Sequence, residues 1–212
     1  MTARLPPRVV LATGNAGKLR EIAAMLARWS VQVLPQSEFG VPAADETAVT
    51  FVENALLKAR NAAVHTGLPA IADDSGIAVD ALDGAPGVYS AVYARAGEGR
   101  GTGDVANLQK LLAAMAAVPE GQRSARFICV MVFLQHAHDP VPLIAQGVWE
   151  GSVLCAPVGD NGFGYDPIFQ VPTHRCSSAE LSPEIKNSLS HRGQAMRRLQ
   201  QMIEQRYGSH VA

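Results

Sequence analysis

Three short polar segments of the chain border apolar stretches, and their residue types suit phosphate and metal chemistry. They are Thr13-Gly14-Asn15-Ala16-Gly17-Lys18, Asp73-Asp74-Ser75-Gly76 and Phe163-Gly164-Tyr165-Asp166. The first follows the apolar run Val9 to Ala12 and precedes Leu19, Ile22, Ala23 and Leu26, spaced as one face of a helix. A strand that turns into a helix there leaves backbone N–H groups without intrahelical partners, at the positive end of the helix dipole and beside a lysine. That suits an anion. The segment resembles a phosphate-binding P-loop, but Gly14 and Gly17 enclose two residues rather than four, and Leu19 stands where Ser or Thr would bind Mg²⁺. A glycine turn with a solvated lysine is the alternative.

Asp73 and Asp74 follow Ala70-Ile71-Ala72 and are expected at a strand end, in an acidic turn. Neighbouring strand residues point to opposite faces, so the two carboxylates need not share a site. Mg²⁺ takes hard oxygen ligands and completes its shell from substrate phosphates, which makes carboxylates near a phosphate-binding turn a candidate metal site, with Glu46 a further ligand. The alternatives are a hydrogen-bonded Asp turn and a solvated loop acid. Asn54 and Lys58 lie four apart on one helical face. Gly162 to Pro167 sets glycines among aromatics and can present a ring to a base, or its rings can plug the core. Lys186, His191 and Arg192 lie near the start of the last helix, where the dipole does not favour cations.

The elements that must position these groups alternate early between strand and helix. Val9 to Ala12 and Val31 to Leu34 are expected strands, and Thr50 caps a helix from Phe51 to about His65. Pro69 to Ala72 and Ile77 to Leu82 read as strands around the acidic turn. Asp104 to Ala117 reads as a helix with Val105, Leu108, Leu112 and Met115 inward. Phe127 to Leu134 is a buried strand, turned at His136 to Pro140 into Leu143 to Leu154. A closing helix capped by Ser190 carries Ala195, Leu199 and Met202. The glycine-rich stretch Ala96 to Gly103 reads as a mobile loop. Early alternation followed by hairpins predicts an α/β fold with a mixed sheet.

With 212 residues and 48% hydrophobic content, the chain can bury a sizeable core. A net charge of −1 with dispersed cations gives no stripe for nucleic acid. No run is long enough to span a bilayer, and there is no export signal. Cys129, Cys155 and Cys176 are an odd number without metal-site spacing, as expected in a reducing cytoplasm.

Together the segments resemble the inosine triphosphate pyrophosphatase family, and most nearly its bacterial dITP/XTP pyrophosphatase branch. The resemblance rests on Leu11 to Lys18, Glu46-Thr47, Phe51 to Ala59, Ala72 to Gly76, Gly84 to Ser90, Gly162 to Phe169, Ala179 to Leu181 and Ser190 to Gly193, in that order over nearly the whole chain. It implies Mg²⁺-dependent hydrolysis of dITP, ITP and XTP to the monophosphate and pyrophosphate. It also implies an elongated mixed sheet with flanking helices, forming two lobes around a central cleft within one domain, 1–212, and a homodimer. By position, Thr13, Gly14, Asn15, Ala16, Gly17 and Lys18 would hold the triphosphate, with Lys58 helping to stabilise it. Asp74 would accept the proton and bind metal, with Glu46 and Asp73 as further metal-site residues, and Ser75 would touch substrate. Phe163, Gly164, Tyr165, Asp166, Lys186, His191 and Arg192 would line the base pocket. The chain departs from the family at Val92, where arginine is usual, in the insertion 96–103, and at Cys176-Ser177-Ser178, where a threonine-alanine pair is commoner. A pyrophosphatase for modified pyrimidine triphosphates and a non-catalytic nucleotide sensor are the competing functions.

Overall fold

The computed structural model describes residues 6–26, 31–96 and 103–208, so most of the expected mobile loop, 97–102, lies outside the described residues. Among the described residues, seven strands form one mixed sheet in the order β2-β1-β3-β4-β5-β6-β7. These are β1 (Arg8–Ala12), β2 (Gln32–Pro35), β3 (Ala70–Val79), β4 (Ser124–Leu134), β5 (Leu143–Val153), β6 (Phe169–Val171) and β7 (Cys176–Ser177). β1 runs parallel to β2 and β3, with Leu11 opposite Ile71; β6 runs antiparallel to β5 and β7. The helices are α1 (Ala16–Leu26), α2 (Phe51–Thr66), α3 (Asp104–Ala114), α4 (Pro183–Leu189) and α5 (His191–Tyr207). Among the described residues no helix is long and apolar enough to cross a membrane.

The chain divides into two compact units. The first comprises 1–74, 129–147 and 192–212, and the second 75–128 and 148–191. In the first unit, strand alternation sorts residues into two cores. Val9, Leu11, Ile71, Cys129, Met131 and Phe133 pack with Ile22 and Leu26 of α1 and with Ala195, Met196, Leu199 and Ile203 of α5. Val10, Ala12, Ala70, Ala72, Val130 and Val132 meet Ala55, Ala59, Ala62 and Ala63 of α2. Small alanines let α2 lie close to the sheet. The α5 helix opens without an acid in its first turn. That costs a few tenths of a kcal/mol at its dipole, against about 1.5–3 kcal/mol for each fully buried large apolar side chain such as Leu199 and Ile203. Burial wins.

The second unit has its own core, in which Ile77, Leu108, Leu111, Met115, Phe127, Trp149 and Phe169 pack together. Leu111 takes an inward place, whereas Val105, expected inward, is 70% exposed. Leu108, Leu112 and Met115 pack inward as expected, so only the first turn of the helix departs from the expected face. The largest difference from expectation is β3. Instead of two strands around an acidic turn, one strand runs through Asp73, Asp74, Ser75 and Gly76 to Val79. Gly76 is required there by crowding. A Cβ on it would lie 2.4 Å from the Gly87 carbonyl oxygen and 2.4 Å from Ser90 Oγ, in the 3₁₀ segment Gly87–Ala96. The Ser90 hydroxyl accepts from Ile77 N at 3.0 Å and donates to the Gly87 carbonyl at 2.6 Å. Because the obstacle is partly backbone, Gly76→Ala should lower the unfolding free energy by about 1–3 kcal/mol, read by urea denaturation. A midpoint equal to wild type would contradict this account of the strand.

Candidate active site

In the first unit, Asn15 starts α1. Its Oδ1 accepts from Lys18 N at 3.0 Å while its own N–H donates to Thr13 Oγ1 at 3.2 Å, so the asparagine caps the helix. Gly14, Asn15 and Ala16 are exposed and Gly17 is buried. The first-turn N–H groups thus lie where an anion can reach them. Lys18 is not a solvated turn residue: its Nζ lies 3.2 Å from Asp73 Oδ2, with the side chain only 15% exposed.

Asp73 and Asp74 are separated by the strand they share. Asp73 falls on the Ile71 side, facing α1 and α5, with its side chain fully buried. There Arg192 Nε approaches Asp73 Oδ2 at 3.5 Å, and Arg192 Nη1 donates to Glu21 Oε2 of α1. Burial favours the neutral carboxyl, but Lys18, then Arg192 and Lys58, outweigh it and hold Asp73 well below the ordinary carboxylate range. Cys129, 4.0 Å from Asp73 Oδ2, is pushed up to about 12 by burial and then by that carboxylate. A thiol held protonated is no nucleophile.

Asp74 falls on the Ala72 side, facing α2, where Lys58 Nζ donates to its Oδ1 at 2.7 Å. The same ammonium donates to Glu46 Oε2 at 3.0 Å. Glu46 sits in a loop held to α2 by Asn54, whose side chain accepts from Ala48 N and donates to Ala48 O at 3.0 and 3.3 Å. Burial raises the Asp74 carboxyl above its ordinary value against the pull of Lys58. For Lys58, burial favours the neutral amine, but Asp73, Asp74 and Glu46 outweigh it and raise the ammonium. Asp74 Oδ2 is buried and has no hydrogen-bond partner among the described residues. A buried hard oxygen with a second carboxylate nearby fits a cation such as Mg²⁺. Among the described residues no three acids, histidines or cysteines form a ready cage, and Asp73 is not brought together with Glu46 and Asp74.

In the second unit, Asp166 organises the aromatic loop. Its Oδ2 accepts from Phe163 N at 2.8 Å and from Lys186 Nζ at 2.6 Å, and its Oδ1 from Ser178 Oγ at 3.0 Å. Lys186 belongs to α4, a separate short helix before the closing one, and its Nζ stands 5.1 Å from the Phe163 ring centre. Phe163 is half-buried, whereas Tyr165 is buried with its hydroxyl on Ser90 O at 2.8 Å, so only one of the two rings plugs the core. His191 stacks on Phe127, with centroids 4.7 Å apart and planes at 13°. Ser75 is half-buried. Arg192, expected beside these groups, pairs within the first unit.

The profile of the Ham1 family matches residues 9–202. The chain belongs to that family. Among Ham1 relatives, a dITP/XTP pyrophosphatase of Vibrio cholerae serotype O1 is 59% identical over 198 residues, covering 93% of this chain and 97% of the relative. One from Escherichia coli O157:H7 is 56% identical, over 91% of this chain and 95% of its own. A HAM1 protein from Coxiella burnetii superposes with a TM-score of 0.85 at 48% identity, over 94% of this chain and all of that one. The Staphylococcus aureus Ham1 protein gives 0.80 at 38%, covering 93% of this chain and 98% of its own. The mixed sheet with flanking helices is therefore the Ham1 fold.

Glu21, Asp104 and Ser178 escaped the reading of the sequence. Glu21 lies three residues beyond Lys18 on α1, a spacing that places both on one face. Asp104 Oδ2 accepts from Gly164 N at 2.9 Å although the two lie 60 residues apart in sequence, which no local pattern signals.

Because its folded pKa is depressed, Asp73 contributes stability that is fully present above its ordinary value near 3.8 and is lost as pH falls below it. Asp73→Asn should remove that component. Its unfolding free energy should fall less steeply with acid below that pH than the wild type's, and parallel curves would contradict the assignment.

Proposed function

We propose that this chain is a nucleoside triphosphate pyrophosphatase that hydrolyses non-standard purine nucleotides, namely dITP, ITP and XTP, to the monophosphate and pyrophosphate. The observation that carries the reading is the buried Asp74 carboxylate, held by Lys58 within a chain that aligns nearly end to end with relatives named for this activity. The α1 N-terminus, from Thr13 to Lys18, receives phosphate oxygens through backbone N–H groups. Lys18 and Lys58 stabilise negative charge as it moves onto the departing pyrophosphate. Asp74 orients a water and accepts its proton as the oxygen attacks the α-phosphorus in line. Its raised pKa brings the base closer to neutrality. Asp74 and Glu46 would hold Mg²⁺, which when bound supplies charge neutralisation at the phosphates. Asp73 supports the site through Lys18 and Arg192 instead.

On the family resemblance, Phe163, Lys186 and His191 receive the base. The half-buried Phe163 ring offers a stacking face, and Lys186 and His191 offer donors to the O6 carbonyl of hypoxanthine or xanthine. Adenine carries an amino group there, which leaves a buried donor unmatched at about 1–3 kcal/mol. We assign the protein as a homodimer on the family resemblance, and to the cytoplasm on its free cysteines, which fit a reducing compartment. Sedimentation equilibrium at twice the monomer mass supports the dimer, and monomer mass rejects it.

Pyrophosphate release with Mg²⁺ from dITP, XTP, dUTP, dATP and dGTP in parallel tests the activity. Turnover confined to dITP and XTP is expected; dUTP as the best substrate would favour a pyrimidine enzyme, and tight dITP binding without release a sensor. Lys18→Ala should raise KM for dITP by about tenfold, the loss of one charge-assisted contact. The ratio of ITP to GTP turnover should stay unchanged, and a shift in it would contradict the phosphate assignment.

A further inference from the structure

Lys58 is bound by the very carboxylates that suit a metal. Its Nζ donates to Asp74 Oδ1 at 2.7 Å and to Glu46 Oε2 at 3.0 Å, so one ammonium bridges both acids. The lysine side chain is only 13% exposed and that of Asp74 7%, so water screens this pair poorly, whereas Glu46 is 47% exposed. A divalent cation taking oxygen from Asp74 and Glu46 would share its ligands with an adjacent ammonium, at strong like-charge repulsion. Either the ammonium leaves or the metal stays out. Lysine carries its charge on a flexible four-carbon stem, so it can exchange one anionic partner for another. A triphosphate offers such a partner.

We propose that Lys58 is the resident counter-ion of the Asp74–Glu46 pair and is displaced onto the triphosphate when substrate arrives. The enzyme then takes the metal–triphosphate complex as its substrate and binds free metal weakly. The inference rests on the proposed pyrophosphatase reading for the identity of the triphosphate, but the competition between ammonium and metal is a property of the three side chains alone. The Asn54–Ala48 clasp keeps the Glu46 loop against α2, so the two acids persist as a pair when the ammonium departs. Metal and triphosphate affinities become linked, each raising the other by the same factor.

Mn²⁺ binding without nucleotide, read by electron paramagnetic resonance at mildly alkaline pH where the carboxylates are ionised, tests this. Lys58→Met removes the competing charge and should tighten Mn²⁺ by about fivefold or more, the lower end of ordinary coupling effects. Lys58→Arg keeps the charge and should bind Mn²⁺ as weakly as wild type. Adding Asp74→Asn to Lys58→Met should abolish the gain. If folded Lys58→Met, judged by circular dichroism, binds Mn²⁺ no tighter than wild type, the competition is absent. If the gain survives Asp74→Asn, the metal is not on these acids. Either result overturns the proposal without touching the pyrophosphate-release assay, and failure of that assay would sink the reading while leaving the Mn²⁺ result standing.

Discussion

The burial of Asp73 between two cations is the constraint on which the first unit depends. A carboxylate with a fully buried side chain is tolerable only when paired, and its partners come from the first turn of α1 and the start of α5. Lys18 and Arg192 therefore bring both helix starts to one position on β3, with Glu21 closing the set on Arg192. Apolar packing of Ile22, Leu199 and Ile203 supplies most of the stabilisation on that face, but packing alone does not fix where along the strand a helix begins. The ion cluster does. Strand alternation then leaves Asp74 on the other face, toward α2, where the only charge it touches among the described residues is Lys58.

Asp166 performs a similar task in the second unit, but with a different balance. It gathers a backbone N–H, a hydroxyl and an ammonium at 2.6–3.0 Å, and the loop at Phe163 is held by this carboxylate together with Asp104 on Gly164 N and the buried Tyr165 ring. Gly162, at φ +78°, is forced by the same acid: a Cβ there would come within 2.2 Å of Asp166 Oδ2. Ser178 belongs to this arrangement. Two neighbouring aspartates thus meet different cations on opposite faces of one strand, while in the other unit a single aspartate positions residues from three segments.

Much of this was legible in the sequence where the pattern is local. The β1-to-α1 turn, the Thr50 cap, the Phe51 helix and the mixed sheet all follow from periodicity and capping residues. The strand through Asp73 to Gly76 did not, because two acids, a serine and a glycine form a turn signal in isolation. Only Lys18, Lys58 and Arg192, distant in sequence, make those residues acceptable inside a strand. Arg192 neighbours His191 in sequence, yet it pairs with Glu21 and Asp73, a choice set by the packing of α5 on α1. The α4 helix was missed because its seven residues, Pro183–Leu189, are too few to establish a period.

The central claim is that adjacent aspartates on opposite strand faces have separate duties, Asp74 in chemistry and Asp73 in structure. Measuring dITP turnover and urea stability for Asp74→Asn tests it most directly. Lys58 keeps Glu46 as a partner and finds an amide oxygen in place of the carboxylate, so the variant should keep its unfolding free energy to within about 2 kcal/mol. Its kcat should fall by about 100-fold or more, as expected for loss of a general base. Near-full turnover by a folded Asp74→Asn protein would contradict the account.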